Sequence, residues 1–133
     1  MSRSGAVTYL AVEDLVVLAE IVIGAPPAIR DLGLLSSAAA RPPTVAFGHE
    51  VYPDLFDKAA ALLHSVCMNH GLLDGNKRLA WVAAVTFLAM NGHPVPEVDV
   101  DSAEKLVMGV AKGDLTEIAV IGRGLRALYR LHP

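Results

Sequence analysis

His70-Gly71-Leu72-Leu73-Asp74-Gly75-Asn76-Lys77-Arg78, read as HGLLDGNKR, runs straight into LAWVAAVTFLAM at residues 79–90. The first half is polar, glycine-containing and charged; the second is a strongly apolar helix former. A turn that feeds a helix N-terminus points several unbonded backbone N–H groups one way, beside the positive end of the helix dipole. Such a turn is a ready anion site. This one also carries an imidazole, a carboxylate, an amide, an ammonium and a guanidinium. Those are the parts a phosphate-handling site needs: a base, a metal ligand and cationic donors for phosphate oxygens. The same Asp-Gly-Asn-Lys string also suits an ordinary turn between two helices, with a solvated Lys-Arg pair after it.

Working outward, the apolar run is too short for the ~20 residues a bilayer needs, so it reads as a buried core helix over residues 76–90. Asn91-Gly92 closes it. Upstream, Pro53 suits a helix start, since a missing N–H costs nothing in the first turn. The spacing predicts a helix over residues 53–69, with Leu55, Phe56, Ala59, Ala60, Leu62, Leu63, Val66 and Cys67 inward. Thr44 to Val51 is the stretch with a β flavour, or else a plain connecting loop. Asp31 can cap a helix over residues 32–40, which Arg41-Pro42-Pro43 ends. Residues 12–24 have helical apolar spacing, with Glu13 and Asp14 in the first turn and Gly24 as the stop. Residues 1–9 read as frayed or as a short extended lead-in.

Downstream of His93-Pro94-Val95-Pro96, Asp99 or Asp101 can cap a helix to Lys112. Asp114 with Glu117 forms a candidate capping box for a last helix to Leu131. That helix carries Arg123, Arg126 and Arg130 on one face. Such a stripe is either solvated or a docking face for an acidic partner.

The chain has 133 residues, which fits one domain spanning residues 1–133 with a single core. It is 53% hydrophobic but only 5% aromatic, which favours close packing of helices through small side chains. The expected class is all-α, a compact bundle of about six helices. The formal charge of −3 and pI near 5.9 offer no broad basic field for nucleic acid. With no long apolar leader segment, a cytoplasmic protein without membrane contact is expected. Cys67 stands alone in an apolar helical pattern and reads as a small core residue.

In the turn, His70 is the candidate general base, because imidazole best takes a hydroxyl proton near neutral pH. Asp74 is the candidate magnesium ligand. Gly75 lets the backbone approach a phosphate and adopt an unusual dihedral. Asn76 can donate through its amide, and Lys77 and Arg78 can take charge developing on a transferred group.

HGLLDGNKR resembles the core pattern of the Fic/Doc family, H-x-F-x-D/E-G/A-N-x-R. RDLGLLSSAAARP (residues 30–42), YPDLFDKAAALLHSV (residues 52–66) and FLAMNGH (residues 87–93) resemble the segments that flank it. The resemblance implies the same roles for the matching positions: base for His70, metal ligand for Asp74, phosphate cradle for Gly75, Asn76, Lys77 and Arg78. It implies ATP and Mg2+ as cofactors, and a flap at Thr44 to Val51 that presents the target segment.

Two departures carry weight. Leu72 stands where the family usually has an inward-packing Phe. Lys77 and Trp81 stand where the adenylyl-transferring Fic branch usually has Gly and a second Arg. Lys77, with the second Arg missing, resembles the Doc branch, the toxins of Phd–Doc toxin–antitoxin pairs. That branch implies transfer of the γ-phosphate to a protein hydroxyl, by resemblance on translation elongation factor Tu, and so inhibition of translation.

The chain has no Walker-type loop or kinase-like glycine-rich loop. It also lacks the Fic inhibitory pattern S/T-x-x-x-E-G/N, so a cognate Phd-like antitoxin acting in trans is the expected regulator. The competing expectations are a protein adenylyltransferase, a non-catalytic binding module of the same fold, and a DNA-binding regulator using the arginine face.

Overall fold

The structure is a computed structural model and describes residues 6–131; residues 1–5 of the expected lead-in lie outside the described residues. The described residues form six helices and one two-stranded hairpin: α1 (Val12–Ile23), α2 (Leu32–Ala40), β1 (Val45–Ala46), β2 (His49–Glu50), α3 (Leu55–Asn69), α4 (Asn76–Met90), α5 (Val100–Ala111) and α6 (Ile118–Leu131). The architecture is all-α, as the composition implies.

The ends of the helices follow from local chemistry. The Asp14 carboxylate accepts the Ala11 N–H at 2.8 Å, and α1 stops where Gly24 takes φ 78° and its N–H meets the Glu20 carbonyl. Asp31 caps α2 by accepting from the Leu34 N–H. Asp99, rather than Asp101, caps α5, taking the Ser102 N–H at 2.7 Å. Two expectations are corrected. Pro53 does not open α3, because Asp54 takes the Phe56 and Asp57 N–H groups at 2.7 and 3.4 Å and so fixes the start at Leu55. Asp114 does not cap α6; its N–H, like that of Leu115, is bonded to the Gly109 carbonyl and closes α5. The Glu117 carbonyl instead receives the first N–H groups of α6, from Val120 and Ile121.

α3 is the central element, packed by α4 and α6 and touched also by α2 and α5. Its expected inward residues are buried, save Leu55, which is half-buried against the core. Ala61, Ser65 and Lys58 are buried as well, so α3 is enclosed on more than one face. Leu79, Ala80, Ala83, Ala84, Val85, Phe87 and Leu88 of α4 are buried, as a helix apolar nearly all round requires. Ala59, Ala60 and Ala61 of α3 and Ala80, Ala83 and Ala84 of α4 are all fully buried.

The lead-in is tied to the far end of α4. Asn91 Nδ2 donates to the Thr8 and Phe87 carbonyls at 2.9 and 2.8 Å, and its Oδ1 accepts the Thr8 N–H at 2.9 Å. The expected β stretch is a hairpin, with Val45 opposite Glu50 and Ala46 opposite His49. Its two-residue turn has Phe47 and Gly48 at φ 52° and 79°, the doubly left-handed geometry that matches strand twist. Among the described residues no helix is long and apolar enough to cross a membrane.

Candidate active site at the start of the fourth helix

α3 ends at Asn69, and the next residue leaves the helix by a left-handed step: His70 has φ 53° and ψ 50°. For a residue with a Cβ that step costs about 1–2 kcal/mol, so something must hold it. The holding segment lies far back in sequence. The Arg30 and Asp31 N–H groups both bond the Gly71 carbonyl, at 2.8 and 3.0 Å, and the Leu73 N–H bonds the Ala28 carbonyl. Ile29 pairs with Leu72 across this short ladder. The Arg30 side chain adds bonds from Nε to the His70 carbonyl at 2.6 Å and from a terminal nitrogen to the Asn69 carbonyl at 3.0 Å. Gly71 is required by packing, since a Cβ there would meet the Leu35 side chain at 2.7 Å. Leu72 is buried, pointing inward as expected of the residue that replaces the family Phe.

His70 is exposed, and its Nδ1 lies 3.1 Å from the Met68 carbonyl. A carbonyl only accepts, so Nδ1 carries the hydrogen and the neutral ring keeps its lone pair on Nε2. A ring so held can take up a proton at Nε2.

The turn then opens onto α4. Gly75 takes φ 92°, and a Cβ there would press the Ile23 side chain at 3.3 Å. The backbone N–H groups of Asn76, Lys77 and Arg78 have no acceptor among the described residues, and they start the helix dipole. Asp74 and Lys77 are exposed beside them. The Arg78 guanidinium donates to the Val22 carbonyl at 3.2 Å, the open C-terminal end of α1. Asn76 has a second task that sequence reasoning missed. Its Oδ1 accepts the Leu72 N–H at 3.0 Å and its Nδ2 donates to the Leu72 carbonyl at 2.9 Å. Asn76 is 9% exposed and clasps the turn shut, with one amide hydrogen left over. The turn thus brings His70, Asp74, Gly75, Asn76, Lys77 and Arg78 into one short loop and helix start. No three His, Cys, Asp or Glu side chains among the described residues gather to hold a metal ion by themselves.

Lys77 and Arg78 line a cavity of about 550 Å³, with Val22, Trp81, Val98, Val107, Met108 and Glu104 also in its wall. Trp81 lies in this wall, at the position where the adenylyl-transferring pattern would place an arginine.

Two anchors hold the hairpin. Lys58, 1% exposed in the first turn of α3, reaches Glu50 of β2 at 2.7 Å and lies 5.7 Å from the Tyr9 ring centre. Burial pulls its pKa down, but the hydrogen bonds with Glu50 and Tyr9 outweigh this and leave it raised. Arg41, just past α2, donates to the Tyr52 hydroxyl at 3.0 Å and the Ser65 hydroxyl at 3.0 Å, and lies 2.9 Å from His64 Nδ1. Burial, and then the Arg41 charge, hold the His64 pKa below the usual histidine value. Lys58 shares a helical face with Leu55 and Leu62, which was the available sign that it turns inward. The hairpin tip is bare: Phe47 is fully exposed.

Cys67 is buried, and burial pushes its thiol up to about 11, so it is no nucleophile. The arginine stripe of α6 is partly used inside the fold. Arg126 pairs with Asp54 at 2.6 Å and lies over the Phe56 ring at 4.4 Å, while Arg123 and Arg130 are exposed.

Residues 9–88 match the sequence model of the Fic/DOC family. The chain is 50% identical to Toxin Doc of Mycolicibacterium smegmatis over 107 residues, 80% of this chain and 82% of that one. It is 29% identical to Protein kinase doc of Escherichia phage P1 over 124 residues, 91% of this chain and 95% of that one.

Proposed function

The chain belongs to the Fic/Doc family, and from that premise we propose that it is a Doc-type toxin kinase. It moves the γ-phosphate of ATP to a hydroxyl of a protein target. The reading rests above all on the start of α4. Unbonded N–H groups and the exposed Lys77 open that helix, on the same short turn as a histidine whose Nδ1 is engaged and whose Nε2 is free. It draws further support from the relative named Protein kinase doc.

In the reaction, Nε2 of His70 takes the hydroxyl proton as the target oxygen bonds to the γ-phosphorus. The bond to the bridging oxygen breaks and ADP leaves. The N–H groups of Asn76, Lys77 and Arg78, with the Lys77 side chain, take the negative charge that builds on the transferred group. Asp74 offers one exposed hard-oxygen ligand, which fits a magnesium ion that draws its other ligands from phosphate and water. Magnesium bound there would neutralise the β- and γ-phosphate oxygens. The hairpin at Val45 to Glu50 serves as the flap that presents the target.

Elongation factor Tu is the target we propose, in the cytoplasm, with translation as the process inhibited. A cognate Phd-like antitoxin would restrain the activity in trans.

The test is incubation with magnesium, ATP labelled separately at the α or γ phosphate, and a bacterial extract rich in translation factors. Only the γ label should enter protein, and His70→Ala should abolish it by removing base assistance worth roughly 10²–10⁴-fold. Transfer of the α label alone would make the protein an adenylyltransferase. Transfer of neither, with magnesium–ATP still bound, would make it a non-catalytic binding module.

A further inference from the structure

We propose that Arg30 is a positioning residue for His70, fixing the ring and the tautomer that leaves Nε2 as the base. The inference rests on His70 being the base of the proposed reaction. Arg30 precedes α2 and is forty residues from His70 in sequence, yet its guanidinium spans the last two carbonyls of the α3 exit. Nε donates to His70 at 2.6 Å and a terminal nitrogen to Asn69 at 3.0 Å. No carboxylate pairs with Arg30 among the described residues. Its charge instead faces the negative end of the α3 dipole, where a cation is favoured. A planar fork suits two adjacent oxygens in a way a lysine ammonium does not.

What the fork holds is the left-handed backbone of His70, φ 53°. With the fork gone only the backbone ladder from residues 28–31 still holds the turn, so His70 gains freedom to leave the costly left-handed region and the ring swings with the backbone. The Nδ1 bond to the Met68 carbonyl, 3.1 Å long and two residues back, breaks with that swing. The hydrogen then redistributes between the two ring nitrogens, and the aim of Nε2 is lost. The N–H groups that open α4 and the Lys77 ammonium are not bonded to Arg30, so nucleotide binding does not depend on it. Arg30 therefore acts on the rate of transfer rather than on ATP affinity.

The test uses the full chain as wild type, Arg30→Ala and Arg30→Lys. Nitrogen-15 NMR of the His70 ring reads the tautomer directly. Initial rates of γ-label transfer into proteins of a bacterial extract, at varied magnesium–ATP, separate apparent kcat from KM. Expected for Arg30→Ala are a loss of the single Nδ1–H tautomer and a kcat lower by roughly 10–100-fold, with KM for ATP within about twofold. Arg30→Lys, which keeps one donor but not the fork, should lie between the two and also covers the case in which the alanine variant fails to fold. Unchanged His70 ring signals in Arg30→Ala would overturn the proposal, whatever the rate does. A changed tautomer with an unchanged rate would overturn it too. If His70→Ala keeps wild-type transfer, the base assignment is what fails, and the ring signals still report whether Arg30 holds His70.

Discussion

The ammonium of Lys58 lies 2.7 Å from the carboxylate of Glu50, and the two side chains are 1% and 51% exposed. A cation buried in the central helix is thus satisfied from the hairpin, and the hairpin is held by the interior of the bundle. Two such short strands would not hold their place unaided.

Glu50→Gln removes the charge partner and leaves the ammonium buried, so it should cost about 1–3 kcal/mol in denaturant unfolding. The Lys58→Met, Glu50→Gln double variant should recover part of that loss, because the thioether fills the space without a charge. Hydrogen exchange should quicken at the amides of residues 44–51 in Glu50→Gln and leave those of α4 unchanged. Equal protection in wild type and variant would mean that the pair does not anchor the hairpin.

His64 gives the bundle an acid-sensitive point. Arg41 donates to Nδ1, so the neutral ring is required, and burial plus the Arg41 charge lower the pKa. The unfolded chain therefore takes up a proton at a higher pH than the fold does. Stability is complete above the usual histidine value and declines as pH falls through it toward the folded pKa. His64→Gln keeps an acceptor and does not titrate. Its melting temperature should fall less than wild type between pH 7 and about 5.5, by about a degree or two after solvent screening. Parallel melting curves for the two proteins across that range would remove His64 as the cause.

Asn76→Ala strands the N–H and carbonyl of Leu72 in a buried turn. Unfolding free energy should drop by about 2–3 kcal/mol, and magnesium–ATP affinity should fall with it because the turn opens. Wild-type stability in this variant would show that the clasp is dispensable.

Asp74→Ala should behave in the opposite way. Asp74 is exposed and makes no hydrogen bond or ion pair within the described residues, so melting should shift by no more than a degree or so. Magnesium-dependent γ-phosphate transfer should nonetheless be lost, and titration calorimetry should show weakened binding of magnesium–ATP. Full transfer by this variant would place the metal ligand elsewhere.

What could be read from the sequence was local. Asp31 and Gly24 mark helix ends by chemistry within four residues of themselves, and the apolar run after Arg78 declares a buried helix by composition alone. The family pattern placed every candidate site residue on one turn. What escaped was set by contacts between distant segments. Nothing near Arg30 says that it reaches the exit of α3, and nothing near His70 says that its backbone is left-handed. Lys58 lies on an apolar helical face, but nothing near it in sequence names Glu50 as its partner, and the reading of Asn76 as a phosphate donor gave no hint of its bonds to Leu72. Pro53 and Asp54 both suit a helix start, and only the direction of the carboxylate decides between them.

The cavity lined by Lys77 and Arg78 holds the chain's one tryptophan. Trp81 stands one helical turn beyond Lys77, in a mostly apolar wall, and no second indole blurs its emission. The protein is therefore its own optical sensor. Anything that enters this cavity, whether part of a nucleotide or a segment of a partner, changes the water around that indole, and its fluorescence reports entry without a label.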